Sequence, residues 1–200
     1  MKKTVFFDLG NVLLFFSHER MMQQIADFCQ LELPIVKTAV EKLGIPYELG
    51  TVGSKEIHQA FSDLVKKKID FNGLMHALSN IFHLNLPVAA IVKELKSKNV
   101  PLFVLSNTCE AHFTYAYQRY SPLHLFDGYV LSYEVGARKP EQKIFEHALS
   151  KARCSPESCF YTDDIAEYVD AARQLRIDAE QYTTPEKLTE QLTKRGLLNN

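Results

Sequence analysis

The chain has 200 residues, of which 46% are hydrophobic, and its 23 lysines and arginines nearly balance its 24 aspartates and glutamates. This length fits one domain, or a core with a smaller inserted domain, and the apolar content can bury a sizeable core. The two charge signs are mixed along the sequence, which excludes the basic patch of a nucleic-acid or membrane-surface protein, and no segment approaches the ~20 apolar residues of a membrane helix.

The amino terminus and the cysteines both indicate a cytoplasmic protein. Met1, Lys2 and Lys3 precede an apolar run, as in a signal peptide, but Asp8 and Gly10 interrupt that run and no small-residue cleavage site follows. We therefore predict a strand here. The four cysteines lack the spacing of a zinc site and are too few to staple a chain of this length, so we expect reduced thiols.

The predicted first strand ends in Asp8. In an open α/β sheet, ligands bind beyond the carboxyl ends of the strands, which makes an acid at this position a candidate nucleophile or metal ligand. Asp8 and Gly10 are equally typical of an ordinary turn, so the rest of the sequence has to decide between these interpretations.

From residue 18 to about 84, the apolar residues recur at helical spacing, which predicts four helices and no strand. Four short helices form a plausible small bundle. The predicted helix starts are at Ser17, Pro34, Ser54 and Asp70, and the second helix is predicted to stop at Gly44. The residues predicted to face inward include Met21, Met22, Ile25, Phe28, Ile35, Val36, Leu64, Phe71, Ile81 and Phe82.

Strands and helices alternate after Pro87. This alternation predicts an α/β fold with a doubly wound parallel sheet, in which residues 1–16 and 85–200 form the core and residues 17–84 a helical insert. The predicted later strands are 100–105, 128–132, 158–162 and 178–181, and Pro140 and Thr184 are predicted to open helices.

Polar residues close the predicted strands or follow them. Because the carboxyl ends of parallel strands share one rim, we expect these side chains to meet. Three carboxylates repel one another unless a cation lies among them, and oxygen ligands beside a phosphate group favour Mg²⁺. Hydroxyl, amide and ammonium groups are suited to hold phosphoryl oxygens, so the set predicts phosphoryl transfer. Its members are Asp8, Ser106, Asn107, Lys139, Asp163 and Asp164.

The same residues carry a resemblance that covers almost the whole chain. In order and spacing they are similar to the four motifs of the haloacid dehalogenase-like hydrolase superfamily, and the helical insert resembles the small cap domain of that family. The first motif most closely resembles a subgroup that includes sugar-phosphate phosphatases. The four motifs are Phe7-Asp8-Leu9-Gly10-Asn11-Val12, Leu105-Ser106-Asn107, Lys139-Pro140 and Asp163-Asp164.

This resemblance implies a phosphatase that acts on a small phosphorylated metabolite selected by the cap. Asp8 is then the nucleophile that forms an aspartyl-phosphate, while Ser106, Asn107 and Lys139 hold the phosphoryl oxygens.

The resemblance also implies a Mg²⁺ ion held by Asp8, the backbone carbonyl of Gly10 and Asp164, with Asp163 as a nearby ligand or a supporting acid. Two positions depart from the family pattern. Gly10 replaces the usual second Asp, a general acid worth roughly 10²- to 10⁴-fold in rate. Turnover is therefore expected to be modest, unless Asp163 or a water supplies the proton or the leaving group is easily expelled. Tyr168 replaces an Asp or Asn that supports the metal, so weaker Mg²⁺ binding is expected.

Two other functions stay open at this point. A 2-haloacid dehalogenase also lacks the second Asp and needs no metal, although the Asp163-Asp164 pair argues against it. A non-catalytic module that binds a phosphorylated ligand or protein is the alternative of another class. The sequence has no glycine-rich phosphate loop, which excludes nucleotide hydrolysis through such a loop.

Overall fold

A five-stranded parallel sheet lies at the centre of the computed structural model, which describes residues 3–199. The predicted α/β fold with a helical insert after the first strand is confirmed. Met1, Lys2 and Asn200 lie outside the described residues, and so does the part of the amino-terminal prediction that depends on them. None of the described helices is long and apolar enough to cross a membrane.

The strands of the described chain are β1 (Thr4–Phe7), β2 (Leu14–Phe16), β3 (Phe82–Leu84), β4 (Leu102–Ser106), β5 (Gly128–Leu131), β6 (Cys159–Asp163) and β7 (Asp178–Gln181). The helices are α1 (His18–Cys29), α2 (Leu33–Glu48), α3 (Ser54–Val65), α4 (Phe71–Ser79), α5 (Leu86–Ser97), α6 (Glu110–Arg119), α7 (Ser132–Val135), α8 (Gln142–Ala152), α9 (Ala166–Gln174) and α10 (Pro185–Lys194). Two short 3₁₀ turns, Ser121–Leu125 and Pro156–Ser158, complete the described secondary structure.

The sheet has the strand order β5-β4-β1-β6-β7, with every neighbouring pair parallel. Successive residues of a strand point to opposite faces. Val5 and Phe7 accordingly join one apolar cluster with residues of α1, α5 and α10, while Phe6 joins a second with residues of α8 and α9. Both faces of the sheet are therefore covered by helices, which explains why β1, β4, β5 and β6 are mostly apolar.

The four helices of the insert lie between β2 and β3, and three of the predicted starts are confirmed, including Pro34 in the first turn of α2. Ser17 caps α1 by accepting a hydrogen bond from the backbone N–H of Arg20 at 3.1 Å, and Asp70 caps α4 by accepting from that of Gly73 at 2.6 Å. For α3 the predicted cap is wrong by one residue, since Gly53 is the cap and Ser54 is the first helical residue.

The prediction that no strand occurs between residues 18 and 84 is wrong. Strand β3 pairs antiparallel with β2, which places Leu84 opposite Leu14 and Phe82 opposite Phe16. Phe82 therefore belongs to this two-stranded ribbon and not to α4, which ends at Ser79. A three-residue strand whose partner lies almost seventy residues earlier leaves no local pattern, so helical spacing dominates the sequence signal.

The predicted end of α2 at Gly44 is also wrong. The helix continues through Gly44 and Pro46 to Glu48. Gly44 does not adopt the positive φ that typically ends a helix at glycine, whereas Gly50, which follows the helix, has a φ of 69°. At the other helix predicted from a proline, α8 begins at Gln142, beyond Pro140.

Several residues predicted to face inward are exposed. A helix in a small bundle buries only one stripe of its surface, and helical spacing alone does not fix the width of that stripe. The exposed residues are Phe28, Ile35, Leu64 and Phe71.

Asp178, at the start of β7, links the sheet to the residue that follows α10. It accepts hydrogen bonds from Arg195 Nη2 at 2.6 Å and Arg195 Nε at 2.8 Å, and from Lys3 Nζ at 2.6 Å. The Arg195 hydrogen bonds, helped by Lys3, lower the pKa of Asp178 to about 2. Because the folded-state pKa lies below the usual value of about 3.9, this group stabilises the fold above pH 4 and loses that contribution as the pH falls from about 4 to about 2.

We expect Asp178→Asn to lower the free energy of unfolding at pH 7 by about 1 kcal/mol, a value discounted because the carboxylate is partly exposed. Urea unfolding from pH 7 to pH 2 should show the difference between the parent and the variant shrinking as the pH falls from about 4 to about 2. The control is Asp170→Asn, which removes an exposed ion pair with Arg173 and should change stability by less than about 0.5 kcal/mol. A difference that does not depend on pH would contradict the charge argument.

Candidate functional site

Three neighbouring strands bring polar groups to one rim of the sheet. Asp8 directly follows β1, Ser106 ends β4 and Asp163 ends β6, and β1 lies between the other two strands. Lys139 comes from the turn between α7 and α8. Asp8, Ser106 and Lys139 line a cleft of about 220 Å³, and Asp163 is fully buried beside them.

Lys139 is the centre of this arrangement. Its buried ammonium donates to Asp8 Oδ1 and Asp163 Oδ2, both at 2.6 Å, and to the carbonyl of Leu105 at 3.1 Å. Burial lowers the pKa of Lys139, but the adjacent carboxylates of Asp8 and Asp163 outweigh that effect and raise it above its usual value. The lysine is therefore a fixed positive charge whose three protons are all engaged.

The two carboxylates of the fourth predicted motif have different surroundings. Asp163 accepts from Lys139, from the Tyr161 hydroxyl and from the Ile165 backbone N–H, so both of its oxygens are used. Asp164 is half-buried and lines the cleft, and its Oδ2 accepts from Asn11 Nδ2 at 3.2 Å. Asp164 is thus the more accessible ligand, and Asp163 the acid that holds Lys139.

The donor set fits a hard divalent cation. One carboxylate oxygen from each of Asp8, Asp163 and Asp164 lies within 4.8 Å of the others. Mg²⁺ prefers oxygen ligands and is commonly bound by one or two carboxylates together with water and substrate phosphate. A cation held here by Asp8 and Asp164 would also relieve the repulsion among the three acids.

Asp8 is a perturbed acid. Burial raises its pKa to about 7, with Lys139 opposing the shift and Asp163 reinforcing it. An acid with this pKa changes its charge near neutral pH, which is frequent at functional sites and uncommon for an acid in a turn.

Asn107 and Ser106 occupy the end of β4 in different ways. The amide of Asn107 accepts from the Lys139 backbone N–H at 2.8 Å and donates to the Lys139 carbonyl at 3.0 Å, so it fixes the lysine backbone. The Ser106 hydroxyl makes only a 3.5 Å contact with the carbonyl of Asn107, at the limit of a hydrogen bond. The hydroxyl of Ser106 is thus better placed than the amide of Asn107 to turn towards a bound anion.

Gly10 makes room for an aromatic ring from β2. A Cβ at this position would lie 2.8 Å from Phe16 Cε1 and 3.8 Å from Asp8 Oδ2. Gly10 does not adopt a positive φ, whereas the next residue, Asn11, has a φ of 53°. The left-handed residue of the turn is therefore Asn11, a residue type that tolerates this conformation.

Three side-chain contacts in the cleft, made by Asn11, Tyr168 and Glu48, were not predicted from the sequence. Asn11 binds Asp164, and an asparagine at a turn next to an acid is a signal that could have suggested it. The Tyr168 hydroxyl accepts from Asn107 Nδ2 at 3.3 Å, and its ring centroid lies 5.2 Å from Lys139 Nζ. Glu48 pairs with Arg138 at 2.7 Å and joins α2 to the turn that carries Lys139, a contact that no local pattern predicts.

The chain is similar in sequence to known hydrolases and phosphatases. A family model described as haloacid dehalogenase-like hydrolase matches residues 2–176. A glyceraldehyde 3-phosphate phosphatase of Methanothermobacter thermautotrophicus is 29% identical, over 78% of this chain and 74% of its own. A sesquiterpene phosphatase of Aspergillus oryzae is 25% identical, over 86% of this chain and 85% of its own.

The fold is shared with a solved HAD family enzyme of Bacteroides thetaiotaomicron in complex with magnesium and inorganic phosphate. The two superpose with a TM-score of 0.80 at 21% identity, covering 92% of this chain and 95% of the other.

The raised pKa of Asp8 predicts that Mg²⁺ affinity depends on pH. Below about pH 7 a proton competes with the cation for Asp8, so the dissociation constant for Mg²⁺ should be roughly tenfold higher at pH 6 than at pH 8. Calorimetric titration at pH 6, 7 and 8 measures this. In Asp8→Asn, binding should be weaker and nearly independent of pH over the same range, and equal affinity for the parent protein at pH 6 and pH 8 would contradict the assignment.

Proposed function

Because the chain belongs to the haloacid dehalogenase-like hydrolase family and is similar to phosphatases, we propose that it hydrolyses the phosphate monoester of a small metabolite through an aspartyl-phosphate at Asp8. The observation that carries this proposal is the buried Asp8–Lys139–Asp163 arrangement, with Asp164 beside it. The solved relative that binds magnesium and inorganic phosphate supports the same chemistry.

Each residue of the site has its own role in the proposed reaction. Lys139 fixes Oδ1 of Asp8, so the nucleophile is held in one orientation as its carboxylate forms the bond to phosphorus and the bond from phosphorus to the leaving oxygen breaks. The Ser106 hydroxyl would turn to the phosphoryl oxygens, Lys139 supplies a fixed positive charge beside them, and Asn107 holds Lys139 in place. A water then hydrolyses the aspartyl-phosphate and restores Asp8. Asp8, Asp164 and the Gly10 carbonyl would hold Mg²⁺, which would supply positive charge against the dianionic phosphate.

The proton for the leaving group comes from water in this proposal. Gly10 carries no acid. Asp163, the other candidate, is fully buried and accepts three hydrogen bonds, so it has no access to the leaving oxygen. Turnover is accordingly slow for alcohols that are poor leaving groups.

The proposed domain division keeps residues 1–16 and 85–200 as the catalytic core and residues 17–84 as the cap. Strands β2 and β3 bracket the insert, which supports boundaries at these positions. We also propose a reducing, cytoplasmic location, supported by the free thiols of Cys29, Cys109, Cys154 and Cys159. The first motif supports membership of the subgroup that includes sugar-phosphate phosphatases.

A non-catalytic phosphate-binding module is the second candidate function. It is favoured by Tyr168, whose ring lies against Lys139 and whose hydroxyl binds Asn107 where the family usually has a metal-supporting acid or amide. A dehalogenase is disfavoured by the accessible Asp164 beside Asp8.

We expect Asp8→Asn to remain folded and to lose turnover by at least 10³-fold, because an amide is too poor a nucleophile to form the covalent intermediate. Asp164→Ala should lose both the Mg²⁺ requirement and most of the activity. The assay is phosphate release from a panel of phosphate esters with and without Mg²⁺, and Asp170→Asn is the control for removal of an exposed acid on α9.

The same assay separates the alternatives. Activity of Asp8→Asn within tenfold of the parent would rule out the covalent mechanism. Release of halide from a 2-haloacid, unaffected by a chelator, would identify a dehalogenase. Tight phosphate binding without turnover of any ester would identify the binding module.

Restoring an acid at position 10 tests the missing proton donor. Gly10→Asp should raise turnover of alkyl phosphates by roughly tenfold, and that of aryl phosphates much less, because an aryl leaving group departs without a proton. The Phe16 ring crowds the new side chain, so the variant is best made also with Phe16→Leu, which removes the 2.8 Å contact.

Two controls isolate the effect of the proton. Gly10→Asn has nearly the same shape without the acid, and Phe16→Leu alone reports the effect of the smaller side chain. Equal responses of alkyl and aryl phosphates in a folded Gly10→Asp protein would show that the leaving-group proton does not limit the rate.

A further inference from the structure

A second cavity lies inside the insert. Its volume is about 290 Å³, and it is enclosed by α1, α2 and α3 together with the start of α6. Most of its lining is aliphatic, sulfur-containing or aromatic, including Met21, Met22, Val40, Leu43, Ile57 and Phe61. As the amphipathic pattern of these helices predicts, these residues belong to the apolar core cluster or pack against it, and they also line the cavity.

This cavity adjoins the catalytic cleft. His18, Glu48 and His112 line both spaces, so the cavity and the catalytic cleft are direct neighbours. On the outer side, Lys37 and Glu41 form an exposed pair at 4.0 Å, which places the far end of the cavity near solvent.

Two polar side chains along the cavity, Tyr47 and His112, have hydrogen-bond partners within the protein, and Glu48 is paired with Arg138. The Tyr47 hydroxyl lies 2.7 Å from Ser54 Oγ and accepts from the Ala111 backbone N–H at 3.2 Å. Nε2 of His112 donates to the Leu78 carbonyl at 3.1 Å, and burial lowers the pKa of this histidine to about 4, so it is neutral at pH 7. Burial likewise raises the pKa of the Cys109 thiol to about 12.

These surroundings suit a hydrocarbon better than a polyol. A buried hydroxyl without a partner is unfavourable, and a sugar phosphate would bring several of them, whereas each methylene gains free energy by leaving water. Since one carbon group occupies roughly 30 Å³, about as much as a water molecule, the cavity holds a chain of about ten carbon atoms.

We propose that the substrate of this phosphatase is the phosphate monoester of an apolar primary alcohol, with a linear or methyl-branched chain seated in the cavity between α1, α2 and α3. This inference rests on the proposed phosphatase function and names the substrate class. It differs from the sugar phosphates that the first motif suggests, because the motif lies in the core and the alcohol is enclosed by the insert.

A homologous series tests it. Phosphate release from n-alkyl phosphates from ethyl to decyl should show kcat/KM rising about two- to fourfold per methylene until the cavity is filled. Because the leaving oxygens of these primary alcohols are chemically alike, the trend reports burial of the chain. Ribitol 5-phosphate, compared with pentyl phosphate, should be turned over at least tenfold less efficiently. A flat series, or a preference for the polyol, overturns the proposal.

Gly44 offers a way to fill the cavity. A Cβ at Gly44 would meet no atom within 4 Å, and the residue lines the cavity without a positive φ. Gly44→Leu should therefore lower the ratio of kcat/KM for decyl phosphate to that for ethyl phosphate by at least tenfold. Lys42→Leu adds the same side chain to an exposed position of α2 outside the cavity and should leave the ratio unchanged. An unchanged ratio in a folded Gly44→Leu protein overturns the proposal.

Binding separates this inference from the proposed function. Decyl and ethyl phosphate are titrated calorimetrically into Asp8→Asn in the presence of Mg²⁺. Affinity that rises with chain length in Asp8→Asn, together with no turnover of these esters by the parent protein, supports the cavity assignment and contradicts only the proposed hydrolysis. Turnover by the parent protein that does not depend on chain length contradicts the cavity assignment and leaves the proposed hydrolysis intact.

Discussion

The buried ammonium of Lys139 is the interaction on which the site depends. It lies between two carboxylates at 2.6 Å and carries the only charge that compensates them within the described side chains of the rim. Removing one partner from such a buried group leaves an uncompensated charge, which typically costs about 3–5 kcal/mol. Strands β1 and β6 must therefore keep their register, because Asp8 and Asp163 reach the same ammonium only when Phe7 lies opposite Thr162. The geometry of the site therefore depends on the pairing of the strands at the centre of the sheet.

The backbone of Lys139 is also held in place, by a residue that follows β4. Asn107 binds both its N–H and its carbonyl, so the end of β4 determines where the lysine side chain starts and the two acids determine where it ends. Tyr168 adds its ring to the same group. A charge held at both ends has little freedom to relax, which is the property that makes an electrostatic catalyst effective.

Sequence alone placed Asp8, Ser106, Asp163 and Lys139 near one another because strand ends in a parallel sheet converge regardless of detail. It could not orient the amide of Asn107, since that depends on the turn holding Lys139, more than thirty residues later. Strand β3 was missed because its three residues are stabilised by a distant partner and not by local propensity. The cavity in the insert could not be predicted for a related reason. Apolar residues recur at the same helical spacing whether they pack only against one another or also line a cavity.

The ribbon formed by β2 and β3 also bears on how such proteins diverge. It brings Phe16 and Phe82 side by side, so the segment between them leaves and rejoins the core at a single point. The entropy of closing a loop grows only slowly with its length, by about 0.6 kcal/mol per doubling. Helices can therefore be lengthened, shortened or exchanged between these two strands with little penalty to the sheet. The ribbon is therefore a fixed attachment point for the insert. The catalytic residues at the strand ends can stay the same while the helices of the insert, and the cavity between them, change to fit another substrate.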